Sequence, residues 1–258
     1  MPSNVKHTIL IVHGGWHVPE SYTKLTTALE SSGYEVHIPH LPSVKDVRPP
    51  TGDLYSDTDV IRSYAENLVQ DGRHVVALMH SYGGQVGTNA MHGLGVETRA
   101  THGLQGGISH LIYMAAYALP EGTAMMEKVK EFGHMHLVPL AFDIAEEDFS
   151  CLSRDPKMLL VGPGPDEEEM AKYLDTFTRW NGKCMYQPIR HAAWRDIPVS
   201  YIHSSNDMTV PMDYQKNFVQ VLEKEGREVR TFDVASGHCP NFTATEGVVD
   251  AINKIVRG

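Results

Sequence analysis

Residues 76–85 read Val-Ala-Leu-Met-His-Ser-Tyr-Gly-Gly-Gln, and this stretch decides the fold. An apolar run typical of a buried strand stops at Ser81, two glycines follow, and the next segment is able to form a helix. A sharp turn from strand into helix exposes a serine Oγ and leaves the next backbone N–H beside it. This is the local geometry that an acyl-transfer nucleophile needs, so the stretch predicts that role for Ser81.

Short apolar strands alternate with amphipathic helices on both sides of this stretch. The pattern predicts strands at 8–12, 34–39, 74–79, 109–114, 199–203 and 229–234, and helices at 21–32, 57–69, 84–91, 212–225 and 246–256. Asp57 or Thr58 is the expected cap of the second helix. Such alternation is typical of a mostly parallel sheet with helices on both faces. The predicted fold class is therefore α/β.

The alternation breaks down between residues 120 and 193, where isolated apolar groups, prolines and glycines predict only short helices. A segment of this length is too long for an ordinary connection. We therefore expect residues 120–193 to be a lid inserted into a core made of residues 1–119 and 194–258. Open α/β sheets bind ligands at the carboxyl ends of their strands, and the lid is expected to lie over those ends.

The composition argues against several classes of partner. With 22 Lys and Arg against 32 Asp and Glu, the formal net charge is −10, which disfavours nucleic acids and anionic membranes. Cys151, Cys184 and Cys239 are widely spaced and odd in number, as expected for reduced thiols. We find no signal-peptide pattern at the start of the sequence and no apolar run of the ~20 residues that a membrane helix needs. These features predict a cytoplasmic protein with no nucleic-acid and no membrane partner.

Two further polar side chains follow strands of the predicted sheet. Asp207 comes after the strand at 199–203, and His238 comes after the last strand. A serine hydroxyl is a weak nucleophile until an imidazole accepts its proton, and a carboxylate orients that imidazole and stabilises its charged form. Asp233 is a rival acid, but it lies within the last strand, only five residues before His238. We therefore predict that Ser81, His238 and Asp207 act together.

An acyl-transfer site also needs two N–H donors for the oxyanion, and losing one typically costs about 10²–10³ in rate. The backbone N–H of Tyr82 is one candidate, because it starts the helix after Ser81. The stretch His13-Gly14-Gly15-Trp16 directly follows the first strand and is expected to supply the other. Its glycines let the backbone approach a substrate oxygen closely.

Four motifs together resemble those of the α/β-hydrolase superfamily. They are His13-Gly14-Gly15-Trp16, His80-Ser81-Tyr82-Gly83-Gly84, Asp207-Met208-Thr209-Val210-Pro211 and Ser236-Gly237-His238. The chain looks most like the compact branch of plant methylesterases, hydroxynitrile lyases and their microbial relatives, and the resemblance covers nearly its whole length. It implies an α/β-hydrolase fold with an inserted lid, with Ser81 as nucleophile, His238 as base and Asp207 as acid. It also implies that the backbone N–H groups of Gly15 and Tyr82 are the oxyanion donors.

Two positions depart from the pattern of these relatives. Met79 stands where the family's G-x-S-x-G turn has its first glycine, a position normally kept small because strand and helix crowd there. We therefore expect a turn that is more open or slightly shifted. Cys239 stands where the hydroxynitrile lyases carry a lysine that handles cyanide, which disfavours a lyase of that kind.

These residues predict a serine hydrolase that cleaves a carboxylic ester or lactone of a small to medium hydrophobic substrate through an acyl-enzyme. Two alternatives stay open, namely hydrolysis of a C–C bond in a diketone-type substrate and a non-catalytic ligand receptor on a hydrolase fold. The predicted substrate contacts are Trp16, Tyr173, Phe177 and Cys239. Tyr173 and Phe177 share an apolar stripe of helical spacing, which either lines the pocket or packs down onto the core.

No cofactor and no metal are expected. His134-Met135-His136 offers two metal ligands, but no carboxylate partner stands at metal-ligand spacing. His80, directly before the predicted nucleophile, is expected to make a structural hydrogen bond.

Overall fold

A computed structural model describes residues 7–257 of the chain. Residues 1–6, in which the sequence predicts no signal peptide, and residue 258 lie outside the described part. Nine strands are found in the described residues: β1 (Thr8–Val12), β2 (Glu35–His37), β3 (His74–His80), β4 (Gly107–Met114), β5 (Phe142–Ile144), β6 (Ser150–Ser153), β7 (Trp180–Asn181), β8 (Val199–Ser204) and β9 (Val229–Val234). Six of them form one parallel sheet in the order β2-β1-β3-β4-β8-β9.

The α-helices in this part of the chain are α1 (Thr23–Ser31), α2 (Leu54–Gln70), α3 (Tyr82–Ala90), α4 (Val96–Thr101), α5 (Met125–Glu131), α6 (Val138–Ala141), α7 (Glu167–Leu174), α8 (Met212–Lys224), α9 (Pro240–Thr243) and α10 (Thr245–Arg257). Within residues 7–257, no helix is both long enough and apolar enough to cross a membrane.

Both faces of the main sheet are buried, because successive side chains of a strand point to opposite faces. In β1, Ile9 and Ile11 join a core cluster with apolar side chains of α1 and α10. Leu10 and Val12 join a second cluster with side chains of α2, α3 and α8. A parallel sheet with helices on both faces confirms the predicted fold class.

The order of the strands explains where a ligand site forms. The chain leaves β1 for β2 on one side, and β3 lies on the other side of β1, paired from Thr8↔Val75 to Val12↔Met79. Open α/β sheets bind ligands at the carboxyl ends of strands beside such a reversal. The loops that follow β1 and β3 therefore lie next to each other.

The start of α2 differs from the prediction. Asp57 does not cap α2: the helix begins one turn earlier, because the Asp53 side chain accepts hydrogen bonds from the N–H groups of Tyr55 and Ser56 at 3.0 and 3.1 Å. Asp57 is instead completely buried. The helix after the serine begins at Tyr82, the residue whose N–H is a predicted oxyanion donor.

The segment from 120 to 193 contains helices α5, α6 and α7 and a small antiparallel sheet of order β5-β6-β7. The sequence predicted only short helices there. The three strands have three, four and two residues, too few to show a clear alternation. Apolar side chains of the segment, among them Met170, Tyr173 and Trp180, join the same core cluster as Leu10 of β1.

Candidate active site

Ser81 occupies a sharp turn between β3 and α3, with φ of 55° and ψ of −123°. A non-glycine residue with positive φ is uncommon and signals local strain, which is frequent at functional sites. Two residues later only glycine fits, because a Cβ on Gly83 would collide with the carbonyl oxygen of Val12 at the end of β1. The strand-to-helix turn predicted from the sequence is therefore present.

Met79 is fully buried at the position where the related turns carry glycine. Its side chain extends over α3 at Gly87, where a Cβ would lie 2.9 Å from the Met79 Cγ and closer still to Sδ. Gly87 follows Gly83 by four residues, so both lie on the same face of α3. The crowding expected at residue 79 is relieved by a glycine in the helix, and the turn at Ser81 keeps its strained φ.

Ser81, His238 and Asp207 form one hydrogen-bonded chain. Ser81 Oγ lies 2.7 Å from His238 Nε2, and His238 Nδ1 lies 2.7 Å from Asp207 Oδ2. The other carboxylate oxygen, Oδ1, accepts the backbone N–H groups of Thr209 and Val210, each at 2.8 Å. The two N–H groups fix the carboxylate in place. Because a carboxylate oxygen only accepts, His238 carries its proton on Nδ1 and donates it to Oδ2, which leaves Nε2 free to accept the serine proton.

Asp233, the rival acid, is not part of this hydrogen-bonded chain. Asp233 is largely exposed, and its Oδ1 lies 3.1 Å from Nδ1 of His203 on the neighbouring strand. The three predicted residues are all nearly buried, with exposed fractions of 5% for Ser81, 1% for His238 and 6% for Asp207.

The two predicted oxyanion donors lie beside Ser81. Tyr82 is the first residue of α3, and the first N–H groups of a helix have no partner within it. Gly15 donates its N–H to no group among the described residues. A Cβ on the preceding Gly14 would lie 3.1 Å from the Ser81 Cβ, which shows how closely the two loops approach. Trp180 packs against Gly15, where a Cβ would come within 2.7 Å of the indole ring.

A first buried relay ties the loop after β1 to the loop that carries His238. The Gly14 N–H donates to the Tyr22 hydroxyl at 3.1 Å, and that hydroxyl lies 2.6 Å from His80 Nδ1. His80 Nε2 lies 2.7 Å from the carbonyl oxygen of His238, which can only accept. The consistent assignment is that Tyr22 donates to Nδ1 and Nε2–H donates to His238. The prediction of a structural hydrogen bond at His80 is confirmed.

A second buried relay holds the carbonyl group of Gly15. His17 Nδ1 lies 2.7 Å from that oxygen, so Nδ1 carries the proton. His17 Nε2 lies 3.2 Å from the Tyr173 hydroxyl, which accepts a hydrogen bond from the Asn241 side-chain amide at 3.0 Å. Burial lowers the pKa of His17 to about 3 and holds the pKa of His80 well below its usual range. Both imidazoles are therefore neutral at physiological pH.

Three of the four predicted substrate contacts belong to the packing around this second relay. Tyr173 stacks on Phe242 with ring centroids 4.1 Å apart, and Phe177 lies 4.5 Å from the His17 ring. Cys239 is completely buried, with its Sγ 3.4 Å from His17 Nε2. None of the three lines the cavity above Ser81. The prediction is corrected here: the apolar stripe packs down onto the core.

The cavity above Ser81 encloses about 780 Å³ of empty space, including the part open to solvent. Trp16, the fourth predicted contact, lines it together with Gly15. Its other walls are mostly apolar and come largely from the segment 120–193, with Met125, Met126, Val129, Leu137, Val138, Ala141, Phe142, Leu159, Trp180 and Met185. Four further side chains carry polar atoms, namely Tyr117, His134, Thr209 and Tyr214.

Most of these cavity residues were not predicted from the sequence. Tyr117 follows the end of β4 by three residues, and Tyr214 lies in the first turn of α8. Their positions near the carboxyl ends of the strands were a signal that could have found them. The cavity residues between 125 and 159 have no such signal, because no regular pattern places them.

Asp57 lies behind Tyr82. Its carboxylate accepts the Tyr82 hydroxyl at 2.7 Å, the Ser43 N–H at 2.8 Å and the Ser43 hydroxyl. Burial raises the pKa of Asp57 to about 6 against the lowering effect of these hydrogen bonds. The Tyr82 ring also packs on Trp180, with centroids 4.8 Å apart. These contacts fix the side chain of Tyr82, whose backbone N–H is one of the two predicted oxyanion donors.

His134 and His136, the two potential metal ligands of the motif at 134–136, make other contacts. His134 Nδ1 lies 2.9 Å from the Tyr214 hydroxyl, and His136 Nδ1 lies 3.0 Å from the carbonyl oxygen of Gly133. Over the described range 7–257, no group of three or more His, Cys, Asp or Glu side chains is arranged to hold a metal ion.

Known proteins resemble this chain in sequence and in structure. A probable hydrolase, R7, from Phoma sp. is 29% identical over 255 residues, which cover 96% of this chain and 97% of that protein. The solved structure of a pyrethroid hydrolase from Sphingobium faniae has a TM-score of 0.72 at 20% identity and covers 98% of both chains. A methylesterase from Arabidopsis has a TM-score of 0.75 at 16% identity and covers 98% of this chain and 99% of that one.

The sequence model of the alpha/beta hydrolase family matches residues 9–251. This range begins in β1, ends in α10 and contains the serine turn and both of its hydrogen-bonded partners. The chain therefore belongs to the alpha/beta hydrolase family.

Proposed function

We propose that the protein is a serine hydrolase that cleaves a carboxylic ester or lactone of a small to medium hydrophobic substrate through an acyl-enzyme. The observation that carries the proposal is the chain Ser81–His238–Asp207, with two hydrogen bonds of 2.7 Å. Its serine opens into a mostly apolar cavity. Apolar walls with a few polar groups are typical of sites for small organic ligands.

In the first half of the reaction, Ser81 Oγ attacks the carbonyl carbon of the substrate while His238 Nε2 takes the hydroxyl proton. The negative charge that develops on the carbonyl oxygen is stabilised by the N–H groups of Gly15 and Tyr82. Asp207 stabilises the imidazolium that forms. The bond to the alcohol then breaks, and His238 returns the proton to the leaving oxygen.

In the second half, a water molecule attacks the acyl-enzyme. His238 removes a proton from that water, and the tetrahedral intermediate again places its oxyanion at the same two N–H groups. Collapse of the intermediate breaks the bond to Ser81 Oγ, which regains its proton from His238 and releases the acid.

The segment 120–193 acts in this proposal as a lid that selects the substrate, because it supplies most of the cavity walls. Among the structural neighbours, proteins named as a pyrethroid hydrolase and a methylesterase support hydrolysis as the class of reaction. The acidic net charge supports a small-molecule substrate rather than a nucleic acid or an anionic membrane. Three free, buried cysteines support the cytoplasm as the compartment.

The proposal is tested with a small fluorophosphonate, which modifies activated serines. It should label the wild type at neutral pH, and Ser81→Ala should abolish labelling. Ser32→Ala is the matched control, because Ser32 is an exposed serine at the end of α1. A wild-type protein that stays unlabelled would contradict the proposal.

A panel of esters, lactones and β-diketones then identifies the bond that is cleaved, with products identified by mass spectrometry. Acid and alcohol from the esters, with no turnover of the diketones, is the expected result. Turnover of the diketones alone would replace the proposal by C–C bond hydrolysis.

A further inference from the structure

The hydroxyl of Tyr117 is an unused polar group in the wall of the cavity. The residue is only 5% exposed. Its hydroxyl has no hydrogen-bond partner among the described residues, yet it is not one of the sealed polar atoms of the core, so it is open to the cavity that Tyr117 lines. The backbone N–H of Tyr117 donates to the carbonyl oxygen of Ser81 at 3.2 Å. The free hydroxyl therefore belongs to a residue attached to the serine turn.

A second polar group in the same cavity is the pair His134–Tyr214. Their rings lie 5.7 Å apart and are nearly parallel, and His134 Nδ1 is 2.9 Å from the Tyr214 hydroxyl. One proton occupies that contact. If the hydroxyl donates it, His134 Nε2–H is free to donate; if Nδ1–H donates it, the Tyr214 hydroxyl is free to donate. In either arrangement the pair keeps one donor for a ligand.

The two groups lie on the same side of the cavity. Tyr117 packs against Phe218 of α8, with ring centroids 5.4 Å apart. Tyr214 is one turn before Phe218 on the same helix, so the two lie on one face of α8. Around them the cavity is lined by Met125, Met126, Val129, Leu137 and Val138.

We propose that Tyr117 and the His134–Tyr214 pair form a polar subsite that binds a second oxygen atom of the substrate. The substrate is then a hydrophobic ester or lactone that also carries a keto, ether or hydroxyl oxygen away from the bond that is cleaved. This inference rests on the proposed function, because the subsite shares its cavity with Ser81. A site built to hydrogen-bond an oxygen discriminates against an analogue that lacks it, because its own polar groups are then left without partners.

The test uses two pairs of esters in which one CH₂ group is exchanged for C=O. The first pair, 4-nitrophenyl 5-oxohexanoate and 4-nitrophenyl hexanoate, varies the acyl part. The second pair, 4-oxocyclohexyl hexanoate and cyclohexyl hexanoate, varies the alcohol part. The ratio of kcat/KM within each pair is divided by the ratio of the alkaline hydrolysis rates. The wild type should prefer the keto ester about ten-fold or more in at least one pair.

Tyr117→Phe and Tyr214→Phe should each reduce this preference by about ten-fold, since each removes a donor or its partner. Tyr55→Phe is the matched control, because Tyr55 lies outside the cavity and its hydroxyl donates to the carbonyl oxygen of Pro188. Equal corrected kcat/KM values for the keto and hydrocarbon esters in both pairs would contradict the proposed subsite. An undiminished keto preference in Tyr117→Phe would contradict it as well.

Binding separates the subsite from the proposed chemistry. Ser81→Ala should bind the preferred keto ester about ten-fold more tightly than its hydrocarbon partner in titration calorimetry, and Ser81→Ala/Tyr117→Phe should lose that difference. Labelling of the wild type by the fluorophosphonate without any keto preference contradicts the subsite alone. A keto preference in binding without labelling or turnover contradicts the serine hydrolase proposal alone.

Discussion

The side chain of Met79 fills the space that a side chain on Gly87 would need. A Cβ on Gly87 would lie 2.9 Å from the Met79 Cγ and closer still to its Sδ. Strand β3 and helix α3 thus pack closely at the serine turn although the usual small residue in the strand is absent. The small residue at this contact is Gly87 in the helix and not residue 79 in the strand.

Gly87→Ala is therefore expected to lower the free energy of unfolding by about 1–3 kcal/mol, because it overpacks the core. A Gly→Ala change inside a helix normally has the opposite sign, with a gain of up to about 1 kcal/mol. In a Met79→Ala background the added methyl group has room, and its cost should vanish. Urea denaturation of the four proteins measures this coupling. Additive effects of the two substitutions would contradict the contact.

Tyr22→Phe should reduce kcat about ten-fold with little change in KM. The substitution breaks the relay between the Gly14 N–H and His80 Nδ1 and leaves both buried groups without their partner. The loop that carries Gly15 and the loop that carries His238 then lose their common support.

The matched control for this variant is Tyr34→Phe. The Tyr34 hydroxyl donates to Asn253 at 2.7 Å, and neither residue lines the cavity or belongs to the loops that carry Gly15 and His238. Both variants should lose about 1 kcal/mol of stability, measured by thermal unfolding, but only Tyr22→Phe should lose activity. Equal kcat values for the two variants would show that the relay does not support catalysis.

Asp57 should make the protein less stable as the pH rises from about 4 to about 6. Burial raises its pKa in the folded protein from 3.8 to about 6, so in this range the folded state binds more protons than the unfolded state. Above pH 6 the ionised Asp57 lowers the free energy of unfolding by about 3 kcal/mol relative to low pH. Asp57→Asn cannot ionise, so its stability relative to wild type should increase by about 2 kcal/mol between pH 4 and pH 7, the rest of the effect lying below pH 4.

Urea denaturation at pH 4, 5.5 and 7 measures this difference. Tyr82→Phe removes one hydrogen bond that lowers the pKa of Asp57. In this variant the fall in stability should therefore continue to a higher pH than in the wild type. A stability difference between Asp57→Asn and wild type that does not change with pH would contradict the prediction.

His17 should have the opposite effect. Burial lowers its pKa in the folded protein to about 3 from 6.5, so the unfolded state binds more protons below pH 6.5 and stability falls with falling pH. At pH 5 the loss from this residue is about 2 kcal/mol. His17→Gln cannot take up the proton and should lose this part of the acid sensitivity, as measured by urea denaturation at pH 7 and pH 5.

The control for that measurement is His102→Gln, because His102 is exposed at the end of α4. It also exchanges one histidine for glutamine, and the acid sensitivity lost in His17→Gln should exceed any that is lost in this variant. An unchanged difference in stability between pH 7 and pH 5 in His17→Gln would mean that His17 is not held neutral in the folded protein.

The sheet and the chain Ser81–Asp207–His238 could be predicted because their signals are local. Each strand is a short apolar run, and each of the three polar residues follows the end of one. Parallel strands bring their carboxyl ends to the same edge of the sheet. Residues more than 100 positions apart therefore meet without any further information from the sequence.

Asp57 shows where a local rule is not sufficient. Its position before an apolar helical stripe predicted a cap, and Asp53 takes that role because its side chain reaches two free N–H groups at the start of α2. Asp57 instead meets Tyr82, which is 25 residues away in the chain. No pattern within one helix reveals such a partner.

By itself, the sequence determined the alternating sheet, the strained serine turn and the order of the three residues that form its hydrogen-bonded chain. Apart from Trp16, which aromatic residues surround the cavity was decided only by the tertiary structure. Helical spacing shows that Tyr173 and Phe177 share a face, but not what covers that face, and it packs around His17 rather than above Ser81. Tyr117 and Tyr214 take those places because β4 and α8 bring them there, and such contacts depend on the packing of the whole chain.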